Sequence, residues 1–118
     1  MRRFVNFSNH PHEKWEQTQL NAARAYGEIV DLTFPEVDPY ADEKAVNELA
    51  DIYAMQILAL KPAAVMCQGE FTLVYSVIKR LKERNISVLA ACSRRDVTEE
   101  DGKKISEFHF ARFREYTE

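Results

Sequence analysis

No apolar run in this 118-residue sequence is long enough to span a bilayer, so no membrane partner is expected. Basic residues do not predominate either. Sixteen Lys and Arg stand against 19 Asp and Glu, a net charge of −3, and no global positive field points to duplex nucleic acid. Cysteine is scarce: Cys67 and Cys92 both sit in apolar runs and read as reduced thiols, not as a secreted disulfide framework. The opening Met1-Arg2-Arg3 leads straight into a strand pattern without the apolar region and cleavage site of a signal peptide, so a cytoplasmic location is expected. Glycine is scarce too, at three residues, and neither a P-loop nor a dinucleotide fingerprint is present. There is no internal repeat, linker or low-complexity segment, and the expectation is one domain over residues 1–118.

What is present centres on Ala63 to Ser93. An apolar run, Ala63 to Cys67, breaks at Gln68-Gly69-Glu70; a helical pattern follows; a second apolar run, Ile86 to Cys92, breaks at Ser93-Arg94-Arg95. Strand, helix and strand in that order make a βαβ unit with parallel strands, and both polar breaks are expected to be turns at the carboxyl edge of the sheet. Val74, Val77, Ile78 and Leu81 fit one buried helical face, Lys79, Arg80, Lys82, Glu83 and Arg84 the outer one, and Asn85 the left-handed terminator.

The flanks repeat the theme. Arg3 to Phe7 reads as a first strand, Ser8 to His12 as a loop, about Glu16 to Tyr26 as a helix capped by Gly27, and Glu28 to Thr33 as a second strand. Two prolines make Phe34 to Pro39 a loop, with Phe34 and Tyr40 expected to pack over the sheet edge, the alternative being that they face a partner. Val46, Leu49, Ala50, Tyr53 and Ile57 mark a helix from about Asp42, its cap, to Leu60, which Lys61-Pro62 ends. After Ser93, Asp96 to Thr98 reads as a short strand or extended loop, Glu99 to Gly102 as a turn, and Ile105 to Tyr116 alternates with period two. The fold class is α/β: a Rossmann-like open sheet with a four-stranded parallel core, flanking helices and a C-terminal antiparallel strand or hairpin.

Three loops would then meet at the carboxyl edge: Ser8 to His12, Gln68 to Thr72, and Ser93 to Arg95. Ser8, Asn9, His10, Gln68, Gly69, Glu70, Thr72, Ser93, Arg94 and Arg95 are the ligand-binding candidates, an inventory suited to phosphates and bases. Arg94 and Arg95 would supply bidentate phosphate contacts, and Gly69 would allow close backbone approach. The alternative is a tight turn at Gln68-Gly69-Glu70, with Glu70 or Thr72 capping a helix. His10 is a general acid–base candidate near neutral pH, and Glu70 is a second one if it is buried. Tyr75 either stacks on a base or joins the core. His10, His12, Cys67 and Cys92 lack metal-ligand spacing; no metal and no cofactor are expected.

The run Asn6-Phe7-Ser8-Asn9-His10-Pro11, with Glu28-Ile29-Val30-Asp31-Leu32, Gln68-Gly69-Glu70-Phe71-Thr72-Leu73 and Ala91-Cys92-Ser93-Arg94, resembles small proteins encoded with CRISPR systems. Those are single-domain relatives of the CRISPR-associated Rossmann fold (CARF). The resemblance implies a homodimer that binds a cyclic oligoadenylate second messenger across its two-fold axis, at the carboxyl edge. It also brings in the ring nucleases, relatives that cleave the messenger without metal by attack of a ribose 2′-hydroxyl on the adjacent phosphate. No fused effector nuclease domain is expected, so sensor, messenger sponge and ring nuclease all stay open. An enzyme acting on another small nucleotide or nucleoside, and a non-catalytic interaction protein, are the alternatives from other classes.

Overall fold

The computed structural model describes residues 2–117; Met1 and Glu118, the two ends of the expected domain, lie outside the described residues. Five strands, β1 (Arg3–Ser8), β2 (Glu28–Thr33), β3 (Pro62–Cys67), β4 (Val88–Glu100) and β5 (Lys103–Glu115), form one sheet in the order β2-β1-β3-β4-β5. The first four are parallel and β5 is antiparallel to β4, as the sequence pattern predicts. Chain order reverses between β1 and β3, and this is the switch point at which an open α/β sheet leaves a crevice at its carboxyl ends.

Strand alternation sends successive side chains to opposite faces. Val5, Phe7, Val65, Cys67 and Val88 meet the helices α2 (Glu43–Ala59) and α3 (Phe71–Lys82) through Ala50, Ala54, Ile57, Leu73, Val77 and Leu81. Phe4, Ala64, Met66 and Leu89 point the other way, toward Ala23 of α1 (Gln17–Arg24) and toward Phe110 and Phe113 of β5. Helices on both faces of a parallel sheet explain why β3 is apolar throughout and why Phe4, Val5 and Phe7 of β1 are all buried. Asp42 caps α2, accepting from Ala45 N (2.9 Å), and Asn85 takes the left-handed conformation (φ 60°) that ends the turn after α3.

Several boundaries differ from the sequence reading. Helix α1 is shorter than Glu16–Tyr26, because the chain first makes a 3-10 turn over His12–Lys14. Gly27 lies beyond the helix end; a Cβ there would sit 2.5 Å from the Arg2 carbonyl oxygen, so close approach of two backbones requires it. Phe34 is buried against Phe7 (ring centroids 4.8 Å), but Tyr40 is 94% exposed and packs over nothing. Tyr75, at 71% exposed, is not a core residue.

The largest correction concerns Ser93-Arg94-Arg95. These residues are not a turn: β4 runs on through them to Glu100, paired with β5 down to Glu100–Lys103. The polar run reads as a break because this part of β4 has lost its neighbour β3, whose pairing reaches only Met66–Leu89, and no longer has a face to bury. A bulge between Cys92 and Ser93 marks the departure. Asp101 and Gly102, with φ of 52° and 74°, close the ribbon as a two-residue hairpin turn. The projecting ribbon raises the radius of gyration to 15.8 Å, against roughly 13.5 Å for a compact chain of this length.

Cys67 is fully buried and desolvation pushes its thiol up to about 12, which leaves it inert at neutral pH. Gly69 follows β3 where the Phe34 ring covers the chain, and a Cβ there would lie 2.7 Å from ring atoms of Phe34. Gly69→Ala should therefore destabilise the fold by about 1–3 kcal/mol, measured by urea unfolding. Wild-type stability in the variant would show that the Phe34 ring moves aside without cost.

Candidate functional site

The carboxyl-edge crevice is built around one buried polar side chain. Asn6 is 1% exposed in the middle of β1, and both of its donor hydrogens are used: Nδ2 donates to the His10 carbonyl (2.8 Å) and to Asp31 Oδ1 (2.9 Å). Its oxygen accepts from Ser8 Oγ (2.6 Å), which in turn accepts from His10 N (3.2 Å). Asp31 stands directly opposite Asn6 in the β1–β2 register. Its second oxygen lies 2.9 Å from His12 Nδ1, and its carboxylate also receives the His12 backbone N–H (3.3 Å). Trp15 Nε1 adds a second donor to the His10 carbonyl (3.0 Å). The loop from Ser8 to Trp15 is thus held at both ends by fixed hydrogen bonds. No buried side-chain N or O among the described residues lacks a partner.

This anchoring turns His10 into a pocket of about 310 Å³ on the α1 face of the sheet. Gln68 and Ser93 line the same pocket, so three of the sequence candidates, one from each expected loop, do converge. Lys14, Trp15 and Gln19 enter from the β1–α1 connection, and Phe108 and Phe110 form the wall contributed by β5. Phe108 is 66% exposed, an aromatic face open to a planar ligand. His109, next to it, faces Glu16 (3.3 Å) and ties the base of the ribbon to the start of α1.

The remaining candidates lie elsewhere. Ser8 is buried inside the Asn6 network, and the exposed Asn9 does not line the pocket. Glu70 and Thr72 form the cap of α3, the alternative reading of that turn: Glu70 accepts from Thr72 N (3.0 Å), Leu73 N (2.9 Å) and Thr72 Oγ1 (2.7 Å). These bonds to the ionised form hold its carboxyl below the ordinary range, so Glu70 carries no proton to give at neutral pH. Arg94 and Arg95 stand on the ribbon outside the pocket lining, Arg94 3.5 Å from Asp96 and Arg95 donating to Ser106 Oγ (2.9 Å). No group of three metal-ligating side chains converges among the described residues.

Sequence reasoning gave no role to Asn6, Asp31, Lys14, Trp15 or Gln19. The available signal was a polar residue interrupting each of two apolar strands, Asn6 in β1 and Asp31 in β2; only the register makes them neighbours.

Fold and pocket together define a doubly wound, Rossmann-like α/β protein with a crevice at its switch point. The chain belongs to the Uncharacterized protein MJ1673 family, whose model matches residues 2–114. No curated protein matches the chain. No described helix is long and apolar enough to cross a membrane.

Asn6→Ala leaves the Ser8 hydroxyl and the His10 carbonyl short of partners and should cost about 2–4 kcal/mol in chemical denaturation. Asn6→Asp should be no better, because it sets a second carboxylate against Asp31 without donors; near-wild-type stability in either variant would show that the network does not hold the loop. Glu70→Ala should cost about 1 kcal/mol at pH 7. Because the folded-state pKa of Glu70 is lowered, this contribution is present above the unfolded-state pKa and is lost as pH falls through the folded-state value. The difference in melting temperature between wild type and Glu70→Ala should therefore close on acidification, and a difference that persists at about pH 2 would contradict the cap.

Proposed function

We propose that the protein is a CRISPR-associated, CARF-like nucleotide-binding protein whose ligand is a cyclic oligoadenylate. The observation that carries this reading is the pocket at the switch point, where His10, Gln68 and Ser93 meet Lys14 and the exposed ring of Phe108. Cation, amide, hydroxyl and aromatic face are the groups a nucleotide needs: charge for phosphate, hydrogen bonds for base edges, a flat surface for stacking.

A volume of about 310 Å³ is at the small end for ligand sites and suits one nucleotide unit. A cyclic oligonucleotide then requires a second copy of the site, and a homodimer supplies it. The outer edge of β5, which ends the sheet, is available for such pairing. The same volume supports a second reading, a mononucleotide ligand bound by one chain.

Cleavage would draw on His10. With a ribose 2′-hydroxyl in line with the adjacent phosphate, the imidazole takes the hydroxyl proton, the O2′–P bond forms, and the P–O5′ bond breaks. The O5′ oxygen gains a proton from water, the imidazolium returns its proton to that water, and a 2′,3′-cyclic phosphate and neutral His10 are left. Lys14 would stabilise the charge that builds on the phosphoryl oxygens. Glu70, fixed as a helix cap, has no part in this chemistry.

The test is incubation with cyclic tetra- and hexa-adenylate in chelator, followed by chromatography of the nucleotide and native mass of the protein. One ring bound per two chains is expected, with affinity about tenfold weaker in Lys14→Ala from loss of a charge-assisted bond. Linear products ending in a cyclic phosphate, lost in His10→Ala while binding persists, would make the protein a ring nuclease. Failure to bind either ring would overturn the reading, and a mononucleotide bound by a single chain would replace it.

A further inference from the structure

We infer that Gln68 and Gln19 read the hydrogen-bonding polarity of the ligand's base, Gln68 as donor and Gln19 as acceptor; this rests on the nucleotide reading of the pocket. A glutamine amide carries a donor end and an acceptor end, and which end faces a ligand depends on what holds the other. Gln68 follows the last residue of β3, and its backbone N–H donates to the Phe7 carbonyl (3.2 Å), so its main chain is fixed by the β1–β3 ladder. Its side-chain Oε1 accepts the Ala91 N–H at 2.5 Å. Ala91 needs that partner because β3–β4 pairing stops at Met66–Leu89. With the oxygen engaged, the Nε2 hydrogens of Gln68 remain as donors in the pocket that it lines.

Gln19 is held the other way round. Its Nε2 donates to Met66 Sδ (3.8 Å), which leaves Oε1 as an acceptor in the same pocket. A heteroaromatic ring against Phe108 therefore meets one donor and one acceptor. An edge that fits offers an amino hydrogen beside an unprotonated ring nitrogen, as the 6-amino edge of adenine does. Hypoxanthine carries a 6-oxo acceptor where adenine has its donor, so Gln19 Oε1 would face another acceptor. Desolvated polar groups left unpaired in this way produce large discrimination.

The same substitution at the two positions separates this role from a charge effect. In Gln68→Glu the carboxylate still accepts from Ala91 N–H, but the donor facing the ligand is gone. In Gln19→Glu the acceptor facing the ligand is kept. Calorimetric titration of the full chain with cyclic tetra-adenylate should show binding weakened about tenfold or more in Gln68→Glu, with the wild-type circular dichroism spectrum, and weakened by a clearly smaller factor in Gln19→Glu, which adds the same charge but keeps the acceptor. Cyclic tetra-inosinate should bind wild type at least about a hundredfold more weakly than the adenylate ring. Equal losses in the two variants, an unaffected Gln68→Glu, or equal binding of the two rings would overturn the inference. If wild type binds no ring, the cyclic-oligoadenylate reading fails, and titration with AMP and IMP decides the inference alone. Preference for AMP that is lost in Gln68→Glu sustains it; no binding or no preference overturns it.

Discussion

A polar side chain in an interior strand of a sheet covered on both faces is costly unless every hydrogen bond it can make is made. Asn6 occupies such a position, and the carboxyl edge of this protein depends on how it is satisfied. Its partners are a strand neighbour, Asp31, the last residue of β1, Ser8, and the His10 carbonyl in the loop that follows. The same bonds that make Asn6 tolerable inside the sheet also dictate where that loop goes. Asp31 extends the arrangement to His12, and Trp15 closes it on the His10 carbonyl. Positioning of His10 is thus a consequence of burying Asn6, so stability and site geometry share one set of contacts.

The crevice exists because neighbouring strands part company beside this anchor. The switch of chain order between β1 and β3 sends the following segments, α1 and α3, to opposite faces. On the α1 face β4 leaves β3 beyond Leu89, bulges after Cys92 and continues with β5 alone. The Gln68 side chain bridges the widening gap to Ala91, and Phe108 and Phe110 of β5 close the far side. A backbone group left unpaired by the divergence is thereby satisfied by a side chain that also faces the pocket.

Most of the architecture was legible in the residues because parallel strands buried on both faces give short apolar runs, and α2 and α3 carry clear helical periodicity. The ribbon was not legible. Ser93 to Glu100 is a strand whose far half is exposed on both faces, so nothing in its composition separates it from a polar turn; only the partner strand, with its Asp101-Gly102 corner, makes it extended. The candidate site was half legible for a related reason. Residues following β1 and β3 could be located from the strand ends, which is why His10 and Gln68 were found. A turn at Ser93 would carry Arg94 and Arg95 to the crevice, but on the ribbon they stand outside its lining, whereas Ser93, at the bulge, still reaches it. Lys14 and Gln19 depend on the course of a loop, and Asn6 with Asp31 on a register, neither of which a single sequence displays.

A nucleotide bound as proposed would occupy the Asn6-anchored crevice on the α1 face. The most direct measurement is the map of amide chemical-shift changes when isotopically labelled protein is titrated with cyclic tetra-adenylate. Changes should concentrate at His10, Lys14, Gln68, Ser93 and Phe108, while the separate groove between α2 and α3, lined among others by Asn47 and Arg80, stays unmoved. Changes centred on that groove, or a spectrum that does not respond, would contradict this placement.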